Sequence, residues 1–346
     1  MGSDIEKLQS QVTMFGNRLA KRAAYFRKWA KRQQLSCYRI YDRDIPEIPL
    51  SVDFYGFVDP SGNVTRQYAY IALFERPYEK DPREEDIWLD AMCAEAARVL
   101  DLVSDHVIFR RRKRQKGSDQ YEKMDAHRHI EGVVQEGALR FEVNLSDYLD
   151  TGLFMDHRPL RDILMKSAKQ CRVLNLFGYT GALSVAAAAG GASFVHTVDL
   201  SNTYLKWARR NLELNNLCDD NKIRMTRSDV IYFLQQESKR NDYTRGKAYD
   251  IILLDPPTFS NSSMTDNVLD TNRQWPDLVV MALECLNPGG LLYFSTNSKR
   301  LSFNENMLPA SVHRHVIQIE DITSISLPED FKSHRIHRCW RMKLGE

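Results

Sequence analysis

The C-terminal part of this 346-residue chain predicts an α/β fold built on a doubly wound sheet, and three observations carry that expectation. From Val173 onward, short apolar runs of β-rich composition alternate with helical segments. The first run feeds a loop, Asn175-Leu176-Phe177-Gly178-Tyr179-Thr180-Gly181, that leads straight into a small-residue helix. Successive runs then end on acids: Asp199, the pair Ser228-Asp229, and Asp255. Open α/β sheets place their ligands beyond the carboxyl ends of their strands, so these acids mark one site.

Read in order, the chain begins with a basic helix over 1–36. Phe15, Leu19, Ala23, Phe26 and Ala30 recur on one face, with Arg18, Arg22, Tyr25, Trp29 and Arg32 beside them. No acid interrupts Arg18 to Arg32, which suits phosphate contact with aromatic support as well as a solvated basic face. Residues 37–150 read as a small α+β domain. Tyr38–Tyr41, Val52–Phe57, Tyr68–Phe74 and His106–Arg111 are expected strands, and Glu85–Leu102 an expected helix. Ile130–Val134 and Leu139–Val143 form a hairpin across Gln135-Glu136-Gly137. Arg110-Arg111-Arg112-Lys113-Arg114 reads as a basic loop that touches phosphates.

Residues 151–346 form the α/β domain. A helix over Leu160–Ala168 follows Pro159, then come strands at Val173–Phe177, Phe194–Asp199, Ile223–Thr226, Tyr249–Leu254 and Leu291–Ser295. Helices are expected over Ala182–Ala189, Asn202–Leu214 and Trp275–Leu286, the last stopped by Asn287-Pro288-Gly289-Gly290. Val316–Glu320 and His337–Lys343 are expected to pair as an antiparallel edge.

Composition narrows the class. Hydrophobic content of 43% and charged content of 27% are those of a globular protein, and a net charge of +2 gives no global nucleic-acid signal. Six scattered cysteines show neither zinc nor disulfide spacing, and no run reaches membrane-spanning length, which fits a reducing cytoplasm. His127 with His129, and His313 with His315, lack partners at metal-site spacing, so no metal is expected.

The loop after the first strand lacks the G-x-G-x-x-G that brings a pyrophosphate against the chain, which argues against NAD and FAD. Asp199 lies where an acid accepts both ribose hydroxyls, and Ser228-Asp229 where an adenine amino group is read. A cofactor with ribose and adenine but no phosphate, S-adenosylmethionine, satisfies all three features. Tyr249–Leu254 ends at Asp255-Pro256-Pro257-Thr258-Phe259, where the two prolines stop the strand. Taken alone this is also an ordinary strand-ending turn. Beside a methyl donor it is the arrangement that holds a planar base, with an acceptor at the edge and a ring on the face.

The segments Val173-Leu174-Asn175-Leu176-Phe177-Gly178-Tyr179-Thr180-Gly181, Val198-Asp199-Leu200-Ser201-Asn202-Thr203-Tyr204-Leu205, Thr151-Gly152-Leu153-Phe154-Met155-Asp156-His157-Arg158 and Ile336-His337-Arg338-Cys339-Trp340-Arg341 resemble motifs of a family of bacterial 23S rRNA methyltransferases. With Cys37-Tyr38-Arg39-Ile40-Tyr41-Asp42 they are similar to the guanine-N7 half of the family's fused guanine-N2/guanine-N7 enzymes. The resemblance implies a class I, Rossmann-like S-adenosylmethionine-dependent methyltransferase domain behind a small α+β RNA-binding domain and a basic N-terminal helix. It implies cofactor contacts from Asn175, Phe177, Tyr179, Thr180, Gly181, Asp199, Ser201, Asn202, Ser228, Asp229 and Asp255, with Phe154 and Arg158 closing over the methionine end. Asp156 is either part of that closure or a helix N-cap. Gly178 stands where relatives often carry cysteine or alanine, an exchange expected to leave the loop intact. The implied substrate is 23S rRNA, free or in an assembling subunit, at a stem in domain V. On that substrate the residues read above, Arg18, Arg22, Trp29, Arg32 and Arg110 to Arg114, are the expected RNA contacts. The family's N-terminal half, with its THUMP module and N2 methyltransferase, is not part of this sequence, as expected either of an excised half or of a stand-alone enzyme.

The reacting residues are expected at Asp255, Pro256, Pro257 and Phe259, with Tyr179 a second stacking ring and Asn297 either a contact to base or ribose or a turn residue. Methylation of cytosine C5 needs a cysteine nucleophile, and neither Pro256-Pro257-Thr258 nor Thr296-Asn297-Ser298 supplies one. Guanine N7 has a free lone pair and no proton, so alignment with the methyl group carries most of the catalysis. Amino-group methylation of guanine N2 or adenine N6 is the alternative reaction, and an RNA-binding protein with a vestigial cofactor fold the alternative class.

Overall fold

The computed structural model describes residues 2–75, 81–111, 129–240, 249–260, 269–331 and 336–345. The chain divides into two compact units, Met1–Thr151 with Glu329–His334, and Gly152–Pro328 with Arg335–Glu346. Among the described residues no helix is long and apolar enough to cross a membrane.

The first unit begins with α1 (Gly2–Gln33), followed by β1 (Cys37–Asp42), β2 (Leu50–Val58), β3 (Val64–Leu73), α2 (Pro82–Leu100), β4 (Val107–Arg111), β5 (Glu131–Glu136) and β6 (Leu139–Asn144). The expected stripe Phe15, Leu19, Ala23, Phe26 and Ala30 is buried and joins Tyr41, Leu50, Ile71, Met92 and Ala96 in one core. Burial of that stripe makes α1 a wall of the first unit rather than a separate arm. Strands β1, β2 and β3 are antiparallel, whereas β4 runs parallel to β3 after the α2 crossover. Asp81 starts α2 by accepting the Arg83 and Glu84 amides. The β5–β6 hairpin forms as its turn residues predict.

The second unit contains α3 (Arg158–Ser167), β7 (Arg172–Leu176), α4 (Ala182–Ala189), β8 (Phe194–Asp199), α5 (Asn202–Leu214), β9 (Ile223–Arg227), α6 (Val230–Arg240), β10 (Tyr249–Leu254), β11 (Phe259–Ser260), β12 (Leu269–Asp270), α7 (Thr271–Leu283), β13 (Leu286–Thr296), β14 (Ser311–Val312), β15 (His315–Asp321), α8 (Thr323–Ser326) and β16 (Arg338–Leu344). Its sheet has the order β14-β15-β16-β13-β10-β7-β8-β9. Strands β9, β8, β7, β10 and β13 are parallel, and β16 returns antiparallel between β13 and β15. Chain order reverses beside β7, which makes the β7/β10 border the switch point where ligands bind.

Three local readings change. The helix α6 escapes notice in the sequence although Val230, Phe233 and Leu234 bury one face of it. Helix α7 begins at Thr271, before Trp275, because Asp270 caps it through the Asn272 amide. Asn287-Pro288-Gly289-Gly290 does not stop that helix but lies inside β13, where it shifts the register against β10.

Candidate active site

The cofactor side is built on backbone conformation. The strand β7 ends at Leu176, one residue earlier than expected, because Phe177 turns into the left-handed region at φ 55° and Tyr179 follows at φ 48°. Non-glycine residues rarely hold such angles, and when they do they cluster at ligand sites. Between them, a Cβ on Gly178 would fall 2.3 Å from the methyl of buried Thr197. The small-for-small exchange expected there is therefore not free in this chain, since Thr197 would have to move. Gly181, at φ 73°, lets α4 approach α5 so closely that a Cβ would lie 2.6 Å from that of Ala208.

Asp199 closes the loop from the end of β8. Its carboxylate accepts the Tyr179 amide at 2.9 Å and the Ser201 amide at 2.8 Å. Burial raises its pKa above the usual carboxylate value despite those amides. A carboxylate with spare lone pairs, next to a loop that cannot seat a pyrophosphate, fits the ribose diol of S-adenosylmethionine. Ser201 caps α5 through the Tyr204 amide, and Asn202 is exposed beside it. Ser228 donates its amide to the Asp199 carbonyl, and Asp229 accepts the Tyr232 amide at the start of α6.

Two of the expected contact residues brace the loop from within. Asn175 is buried and donates to Ser184 at 2.8 Å, and Ser184 meets Thr197 at 2.7 Å. Thr180 donates to the Gly152 carbonyl at 2.6 Å, and its own carbonyl accepts from Asn211. Half-exposed Phe154 lies 5.2 Å from the Tyr179 ring, which meets Tyr204 edge-on at 4.6 Å. Arg158 opens α3, half-buried. Arg161, which the sequence reading passed over, is buried and donates to the Phe154 carbonyl at 3.0 Å, so it holds this aromatic segment.

Asp255 follows β10 directly, and Ser295 at the end of β13 donates to it at 2.5 Å. The Pro257 carbonyl accepts from Thr271 at 2.6 Å, and Thr258 donates to Asn297 at 2.9 Å, which ties the turn to the end of β13. Pro256 is buried beneath the turn, and Phe259 in β11 is 52% exposed. Cys339 pairs with Ser295 across β13 and β16, nearer the turn than its place late in the chain suggests. It is fully buried, and burial together with Asp255 pushes its thiol far above the usual range. A thiol so placed is not a nucleophile.

Asp156 is not an N-cap. It is buried against His337 at 2.7 Å, with His157 alongside. These three side chains bring potential ligand atoms within 4.8 Å of one another, a grouping that the sequence did not suggest. Of the histidines considered from sequence, His129 pairs with Asp147 and Glu131, while His127 lies outside the described residues.

In the first unit Arg18 and Arg22 both face Asp44, at 2.7 and 3.4 Å, and Arg22 also covers Phe26. Trp29 is half-buried, edge-on to Phe26, while Arg32, Lys21, Arg27, Lys28 and Lys31 are exposed. Arg110 is turned inward onto the Ser146 carbonyl, and Arg111 ends β4. Arg112, Lys113 and Arg114 lie outside the described residues.

Strand order, the glycine-poor turn and the carboxylate at the end of β8 define a Rossmann-like methyltransferase that uses S-adenosylmethionine. A family model for S-adenosylmethionine-dependent methyltransferases matches residues 69–318, and the chain belongs to that family. The ribosomal RNA large subunit methyltransferase K of Neisseria meningitidis is 39% identical over 337 residues, which cover 97% of this chain and 89% of that protein. The methyltransferase K/L of Hahella chejuensis is 42% identical over 342 residues, 99% of this chain. The chain spans 44% of that relative's length, less than half. Among solved structures, a methyltransferase complexed with SAH superposes with a TM-score of 0.73 at 22% identity, covering 96% of this chain and 81% of the other. An S-adenosylmethionine-dependent methyltransferase from Agrobacterium tumefaciens gives 0.56 at 22%, covering 90% of each.

Proposed function

We propose that this chain transfers the methyl group of S-adenosylmethionine to N7 of a guanine in large-subunit ribosomal RNA. The observation that carries the reading is Asp255, a partly exposed acid gripped by Ser295 at the switch-point side of the sheet, next in line after Asp199 and Asp229. The names of the K and K/L relatives support ribosomal RNA as substrate, and the motif resemblance supports N7. The cofactor supplies an electrophilic methyl on a sulfonium. Asp199 and the loop braced by Asn175 and Thr180 would hold its nucleoside end, with Asp229 and Ser228 at the adenine.

The chain's own work at the base is orientation. Asp255 would accept from guanine N1–H and the exocyclic amine, leaving N7 bare. Phe259 would stack on the ring, and the carboxylate would stabilise the positive charge that methylation leaves on the base. With Cys339 buried and protonated, no covalent route through a pyrimidine is open. Exposed Lys21, Arg27, Lys28, Lys31 and Arg32 on α1 would meet phosphates. The variant Asp255→Ala should lower methyl transfer to a 23S rRNA transcript by about a hundredfold while the calorimetric affinity for S-adenosylmethionine stays within about threefold. Equal loss of both would refute the assignment.

A further inference from the structure

Beside Asp255 lies a buried cluster that the contacts proposed for cofactor and base leave unused. Asp156 and His157 precede α3, and His337 precedes β16, 181 positions beyond Asp156. Their exposures are 7%, 7% and 3%. His337 is held on both nitrogens, Nδ1 at 2.7 Å from Asp156 Oδ2 and Nε2 at 3.0 Å from Ser326 Oγ. Its ring lies 4.6 Å from that of His157. From there His157 Nε2 stands 3.8 Å from Asp156 Oδ2 and equally 3.8 Å from Asp255 Oδ2. The other oxygen of Asp255 already accepts from Ser295.

A buried carboxylate is costly unless paired, and the imidazoles supply that pairing. Burial opposes the charge on Asp156, yet the positive charge that His157 takes up in acid, with the hydrogen bond to His337, outweighs it and holds the carboxyl below its usual range. Burial also pulls His157 below the usual imidazole pKa, so at neutral pH it is a neutral ring with one N–H to give. That ring is fixed by packing on one side and faces the reacting carboxylate on the other. A separation slightly beyond hydrogen-bond range is common before substrate arrives, and it shortens when the site closes.

We infer that His157 is a positioning residue for Asp255. Its Nε2–H closes onto Asp255 Oδ2 when the base docks, so that His157 and Ser295 together fix the carboxylate plane, while Asp156, His337 and Ser326 hold His157 in place. The inference rests on the reading of Asp255 as the acid that faces the base. A metal ion is a poorer occupant, because His337 Nδ1 is spent on a 2.7 Å contact to Asp156 that a shared cation would prise apart, and a second positive centre would repel the sulfonium.

The test uses the full chain, with methyl transfer to a 23S rRNA transcript, calorimetry with S-adenosylmethionine and thermal unfolding. His157→Ala should lower kcat about ten- to a hundredfold, with cofactor affinity within about threefold. His157→Gln, which returns an N–H near the same point, should recover most of kcat. Combining His157→Ala with Asp255→Asn should be no slower than Asp255→Asn alone, since both remove one interaction. Unchanged kcat in His157→Ala, with Asp255→Asn impaired, overturns the inference and leaves the role of Asp255 standing. Unchanged kcat in Asp255→Asn removes that role itself. Equal loss of kcat in His157→Ala and His157→Gln, in step with lost thermal stability, assigns His157 a structural part only and overturns the proposal. So does a stoichiometric metal in the purified protein whose chelation abolishes activity.

Discussion

At the end of β8, the Asp199 carboxylate binds two loop amides while burial raises its pKa. Relative to the unfolded chain, the native state therefore favours its protonated form. That contribution to stability is present at low pH and is lost as pH rises through the folded pKa, so the ionised group costs the free protein stability at neutral pH. Cofactor binding has the opposite requirement, because only the ionised group accepts from both ribose hydroxyls. Affinity for S-adenosylmethionine should thus begin to fall at a higher pH than an ordinary carboxylate would dictate as acid is added. Asp199→Asn should weaken binding about ten- to a hundredfold at neutral pH and flatten this dependence. A calorimetric series in which the variant keeps the wild-type pH profile would contradict the role. The acids and the loop were readable in the sequence because each sits at a strand end, where spacing alone fixes its address. Asn175 and Thr180 were not readable as braces, since Ser184 and the Gly152 carbonyl that engage them are set by tertiary packing. Nor could spacing show His157 and His337 meeting, as they come from segments far apart in the chain.

Among the elements, β8 carries a second titrating device. Buried His196 meets the Tyr249 hydroxyl at 2.7 Å and the Thr226 hydroxyl at 2.8 Å, which ties β8 to β9 and to the start of β10. Burial, helped by Arg224 and Arg172, pulls its pKa down from 6.5 to about 4. As pH falls below 6.5 the unfolded chain takes up a proton that the native state refuses, so stability declines until the native ring titrates near pH 4. The full loss is about 3 kcal/mol. His157 acts in the same sense. In urea unfolding between about pH 7 and pH 4.5, His196→Gln should show a shallower decline than wild type, by about 2 kcal/mol. Identical slopes would show that this histidine is not the device. Periodicity made α1 and most strands legible, because Phe15, Leu19 and Phe26, or the run Ile251 to Leu254, bury a regular face. It failed where tertiary context decided: α7 starts where Asp270 can cap it, and Asn287 to Gly290 joins a strand because β10 absorbs the register shift.

For the molecule as a whole, a net charge of +2 hides an uneven distribution. Asp44 faces both Arg18 and Arg22 and offsets one of their two charges, while Lys7, Lys21, Arg27, Lys28, Lys31 and Arg32 are exposed on α1. The sequence marked that helix as basic but could not tell which charges were spoken for, since Asp44 lies beyond it in the chain. The second unit carries the doubly wound sheet, and the match over residues 69–318, which takes in part of each unit, establishes the family of the chain. The central claim is the atom that receives the methyl group. The most direct measurement incubates the full chain with a 23S rRNA transcript and isotopically labelled S-adenosylmethionine, then digests the RNA to nucleosides for mass spectrometry. Label in 7-methylguanosine, lost in Asp255→Ala, is the predicted result. Label in N2-methylguanosine or N6-methyladenosine with none in 7-methylguanosine would contradict it.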